Sequence, residues 1–153
     1  MPDSVFGLPV HPLVVHATVV LVPLTALVLA LAVSLPRFRA WAGWLPLGLA
    51  VVSVVLAPVS TMSGDRFEEL LGIDPEVIER HRELGGMLIW WCLGMLVVAA
   101  ALTVVHRRPD PPTRAVSLAL AAAGVGVAVG TLVMVVLIGH SGADAAWGGV
   151  VPA

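Results

Sequence analysis

The chain has 153 residues, 59% of them hydrophobic and only 12% charged, with no lysine, a net charge of −2 and a mean hydropathy of +1.01. A soluble domain of this length needs more charged surface than that. The charge argues against a nucleic-acid partner, and the single Cys92 excludes an intrachain disulfide.

Four apolar blocks are long enough to cross a bilayer, which takes about 20 residues of helix. The first runs from Leu13 to Leu35 and stops at Pro36-Arg37. It has no basic leader and is too long for the core of a cleaved signal peptide. The second runs from Trp41 to Met62 and ends at Ser63-Gly64-Asp65. An acidic connection over 63–75 follows, and its "DRFEELLG" is expected to lie along the bilayer surface as a short amphipathic stretch.

The third span has the clearest start, "DPEVIERHRELGG". Asp74 is a good N-cap, Pro75 suits the first helical position, and Glu76 and Glu79 favour the positive first turns. The helix is therefore expected over 76–105, with its apolar part at Leu84–Val105. The fourth span covers 115–140. Pro23, Pro46 and Pro58 are interior prolines that free a carbonyl each, and Gly126 and Gly130 have the spacing that allows close helix approach. No internal repeat is visible.

These elements predict an all-α, integral membrane four-helix bundle in a single domain. Arg37, Arg39, Arg107, Arg108 and Arg114 fall in two short connections on one side, against Arg66, Arg80 and Arg82 on the other. The arginine-rich side is expected to be cytoplasmic and both termini extracytoplasmic, in the cytoplasmic membrane of a bacterium.

His11, His16, His81 and His140 all fall at the outer end, whereas His106 lies at the inner end beside Arg107 and Arg108. At about 100° per residue, His81 shares a face with Leu84, Gly85, Leu88, Cys92 and Met95, so it lies on the apolar stripe of its helix. Gly85 is expected to leave room beside it. His11 and His16 differ by about 140° around the helix and cannot both face the axis. With Pro12 starting the helix, His11 stays at the water boundary and depth favours His16 as the inward residue. His140 is expected near the end of its helix. Ser60, Thr61 and Ser63 are placed to hydrogen-bond a histidine.

The blocks "FGLPVHPLVVHATVVLVPL", "STMSGDRFEEL", "ERHRELGGMLIWW" and "GHSGADAAWGGVV" together resemble a bacterial four-helix membrane family known as a domain of unknown function. The resemblance covers nearly the whole chain. Its pattern is HP-x-x-VH, a histidine at the start of the third helix, and G-H-x-G-G near the end, which carries over to His11, His16, His81 and His140. The chain departs from it at "HSGADAAW". Some relatives are joined to Rieske-type redox modules, which implies an electron-transfer setting.

Three readings stay open. The first is a haem b protein with His16 and His81 as axial ligands, His140 as substitute, Gly85 making room, Trp90 or Trp91 lining the group, and Arg80 or Arg82 meeting the propionates. It would carry single electrons to or from a quinol or an extracytoplasmic redox protein. The second is a Cu, Zn or Fe ion held by His11, His16, His81 and His140, with Asp65, Glu83 or Asp144 as a carboxylate donor. The third is a structural accessory subunit, or a homo-oligomer, without a cofactor. HExxH, phosphate-loop and G-x-S-x-G motifs are absent, so any activity is expected to be redox.

Overall fold

The computed structural model describes residues 4–148. A two-residue hairpin comes first, β1 (Ser4–Val5) paired with β2 (Leu8–Pro9). Phe6 and Gly7 close it with φ of 51° and 78°, the left-handed geometry that a tight hairpin turn demands. Five helices follow: α1 (Val10–Ser34), the short α2 (Pro36–Ala42), α3 (Leu45–Leu71), α4 (Pro75–His106) and α5 (Arg114–Trp147). The four long ones are each long and apolar enough to cross a membrane.

The long helices pack in sequence around a ring, α1 on α3, α3 on α4, α4 on α5 and α5 back on α1. In addition, α1 and α4 touch directly across the bundle. The starts of α1 and α4 and the ends of α3 and α5 therefore share one end, the histidine end. The opposite end carries Arg37, Arg39, Arg107, Arg108 and Arg114.

Each long helix turns a narrow stripe inward. On α4 the stripe is Leu88, Cys92, Met95, Ala99 and Leu102, alternating steps of four and three. On α3 the buried residues are small: Pro46, Ala50, Ser53, Ala57 and Ser63. Large residues such as Val51, Val55, Val97 and Val136 point outward. Lipid removes any penalty for exposing them, so small inward residues that let backbones approach govern the packing. Gly124 lies against Val33, Gly94 against Val127, and Gly130 against the indole of Trp91, so closely that a Cβ there would overlap the ring. Gly126 has nothing within 4 Å of its Cβ position, so only Gly130 of the expected glycine pair serves close packing.

Hydroxyl groups tie α1 to α3. Thr18 Oγ1 and Ser60 Oγ are 2.7 Å apart, and Thr25 Oγ1 and Ser53 Oγ are 2.9 Å apart. Both threonines also donate to their own helix, Thr18 to Val14 O and Thr25 to Leu21 O.

Several expected boundaries move. Helix α1 begins at Val10, not at Pro12, because proline is tolerated throughout the first turn, where its missing N–H has no intrahelical partner. The "DRFEELLG" stretch does not lie flat as a separate segment; it continues α3 to Leu71 and stops at Gly72, whose φ of 61° makes the left-handed cap. Pro46 is not interior, since it falls in the first turn of α3 after the elbow formed by α2 and Gly43. Helix α4 starts at Pro75 with the Asp74 carboxylate accepting from Glu76 N at 3.0 Å.

Candidate functional site

The start of α1 at Val10 puts His11 in the first turn, where it faces inward. Its Nδ1 lies 3.1 Å from Ser63 Oγ on α3, and its ring lies 5.6 Å from that of Phe67. His16 faces outward instead, exposed, with Nδ1 2.6 Å from Pro12 O of its own helix. The inward histidine of the pair is thus His11, the reverse of what depth suggests. An angular separation of about 140° permits only one of them to face the axis, and the buried stripe Thr18, Val22, Thr25 and Leu29 selects His11, seven residues before Thr18.

His81, on α4, is half-buried and reaches α5. Its Nδ1 is 3.1 Å from Ile138 O and 3.2 Å from Ser141 Oγ. His140 does not join it. Because α5 runs on to Trp147, His140 lies within the helix and is exposed, while Ser141, about 100° further round, is buried and faces His81. His106 bonds its own Leu102 O at the arginine end, beside a cleft of about 280 Å³ that Arg39, Arg114 and Ser117 also line.

The hydrogen bonds fix where the imidazole protons sit. Ser63 Oγ donates to Ser60 O at 2.9 Å, and Ser141 Oγ donates to Ile138 O at 3.0 Å. Each serine has spent its only proton, so it can only accept from the imidazole. A carbonyl oxygen likewise only accepts. His81, whose Nδ1 faces the Ile138 carbonyl, therefore carries its proton on Nδ1 when neutral and keeps a lone pair on Nε2, and His11 takes the same form with the Ser63 hydroxyl turned to Ser60 O. Both rings lie at the histidine end of the bundle, on two helices that touch directly across it.

The other expected site residues are placed as follows. Gly85 has only the Thr61 methyl near its Cβ position, at 4.0 Å. Arg82 is held by carboxylates of the α3 extension, 3.5 Å from Asp65 and 3.6 Å from Glu68. Arg80, Glu83 and Asp144 are exposed. Trp90 is 72% exposed on the outer surface, and Trp91 packs on Gly130. Among the described residues, no group of three or more His, Cys, Asp or Glu side chains is arranged to hold a metal ion.

Ser141, Gly64 and Gly142 went unassigned in the sequence. The signal that marks them is the dipeptide Ser-Gly, which stands at the histidine end of both α3 and α5.

Residues 7–152 match the family described as predicted membrane protein DUF2231. The chain belongs to that family. DUF2231 thus spans β2, the bundle and the histidine end together, and the four long helices of this DUF2231 chain are its membrane spans. No curated protein and no solved structure matches it.

Proposed function

We propose that this membrane protein binds haem b through His11 and His81 and passes single electrons near the outer face of the membrane. The observation that supports it is the pair of bare Nε2 atoms, one from α1 and one from α4, each with its Nδ1–H anchored to a neighbouring helix. An anchored Nδ1–H fixes ring orientation and raises the basicity of the other nitrogen.

A donor set of two favours this reading over a zinc or copper ion, which takes three or four protein ligands. Two imidazoles from different helices would suffice to hold a haem, which when bound would supply a one-electron couple. His11 and His81 would hold the iron; Ser63 and Ser141 would keep their rings from turning. Arg82, already shared between Asp65 and Glu68, is replaced as a propionate partner by Arg80, which is exposed at the same end. The five-to-three arginine split supports a reading in which the histidine end faces outward from a bacterial cytoplasmic membrane, with a quinol or an extracytoplasmic redox protein as the proposed electron partner.

The test is a visible spectrum of the detergent-purified chain, expressed with haem available. A Soret band that shifts on dithionite reduction is expected, and His11→Ala and His81→Ala are each expected to abolish it. A colourless protein that takes up no added haem overturns the reading, as does a band that survives both substitutions.

A further inference from the structure

The two inward histidines sit in copies of one arrangement. His11 bonds Ser63, which donates to the carbonyl of Ser60. His81 bonds Ser141, which donates to the carbonyl of Ile138, and that carbonyl is also a partner of His81. In both, a glycine follows the serine and the imidazole rests where a side chain would stand. A Cβ on Gly64 would lie 3.2 Å from His11 Cε1, and one on Gly142 would lie 3.0 Å from His81 Cε1.

The likeness continues down the helices. The 70-residue offset that carries His11 onto His81 also carries Thr18, Val22, Thr25, Leu29 and Ala32 onto Leu88, Cys92, Met95, Ala99 and Leu102. All of these are buried, and the second set is every buried residue of α4. The 78-residue offset that carries Ser63 onto Ser141 carries Pro46, Ala50 and Ser53 onto Gly124, Ala128 and Thr131, again buried onto buried. Helical periodicity alone would match the phase of two stripes. It would not put a histidine, a serine and a glycine in the same contacts at the end of each. Moreover, α1 pairs with α3 as α4 pairs with α5, and both hairpins start at the histidine end, so the axis relating them runs along the bundle.

We infer that the chain is two copies of one helical hairpin, α1 with α3 and α4 with α5, and that the histidine end is a two-fold site. Ser63 and Ser141 are its equivalent positioning residues, and its ligand takes both imidazoles alike. The inference deepens the two-imidazole reading above and rests on it for the ligand. It corrects the expectation of no repeat. The copies have diverged at nearly every stripe position, Thr18 against Leu88 and Thr25 against Met95, so no period survives in the letters.

The experiment is nitrogen-15 NMR of the full chain in detergent, labelled in its histidine rings and free of haem. His11 and His81 are both expected as the Nδ1–H form with bare Nε2. Ser63→Ala is expected to move the Nδ1 resonance of His11, and Ser141→Ala that of His81, by comparable amounts, with Ser→Thr restoring each. Either ring protonated on Nε2, or a serine substitution without effect on its own ring, overturns the two-fold site. Should an alanine variant fail to fold, the threonine variants decide, since wild-type-like shifts at both rings are then required. In haem-loaded protein the two serine-to-alanine changes are expected to shift the midpoint potential in the same direction. A wild type that binds no haem defeats the proposed function and leaves the NMR outcome standing.

Discussion

The indole of Trp91 occupies the space that a side chain at Gly130 would fill, and it joins α4 to α5 with no intervening atom. Overpacking of a filled contact costs about 1–3 kcal/mol. Gly130→Ala is expected to destabilise the bundle by that amount in an SDS unfolding titration from mixed micelles. Gly126→Ala, on the open side of the same helix, is expected to stay within about 0.5 kcal/mol of wild type. Equal costs would remove the special role of Gly130.

The four histidines of the histidine end divide into two inward and two outward. His16→Leu and His140→Leu are expected to leave both the fold and any bound haem in place, since both side chains are exposed. Loss of the Soret band in His16→Leu would return His16 to the ligand pair.

Thr25 and Ser53 form the deepest hydroxyl pair between α1 and α3, both fully buried. Interhelical hydrogen bonds in membranes average about 0.6 kcal/mol, because each partner finds an alternative within its own helix. A double-mutant cycle with Thr25→Val and Ser53→Ala is expected to return a coupling of about that size. A coupling above about 1.7 kcal/mol would mean that the pair depends on its partner far more than such bonds do.

Arg82 clamps α4 to the extension of α3, yet its own side chain is 50% exposed and most of Asp65 is exposed as well, with Glu68 the one largely covered partner. Pairs of that kind contribute about 0–1 kcal/mol and weaken with salt. Arg82→Gln is expected to lower stability by less than about 1 kcal/mol at low ionic strength and by nothing measurable at about 1 M salt. A larger loss that salt leaves unchanged would show that Arg82 acts through packing.

The four spans are legible because hydropathy acts over about 20 residues and tolerates errors of a turn. The start of α4 is legible because Asp74-Pro75 encodes a cap directly. His81 reads correctly as inward from its own helix, since five stripe residues fix the phase. The His11–His16 choice hangs on the phase of the α1 stripe, which an all-round apolar helix does not display in its letters: His11 lies seven residues before the buried Thr18 and so on its face, and His16 about 200° away. Ser141 was hidden by its neighbour His140, the chemically louder residue on the adjacent face. The two-fold pattern was hidden because it lies in which positions are buried, and burial belongs to the assembled helices.

Four hydroxyls along α1 and α3 have a carbonyl of their own helix already in reach: Thr18 with Val14 O, Thr25 with Leu21 O, Ser53 with Leu49 O and Ser63 with Ser60 O. If these two helices slide or part slightly, each of these four donors keeps an acceptor. The ring of Trp91 seated on Gly130 has no such fallback, because a shift there either collides or opens a void. The compliance of the bundle is therefore lopsided: its first hairpin can give, and its second holds the frame against which that movement is made.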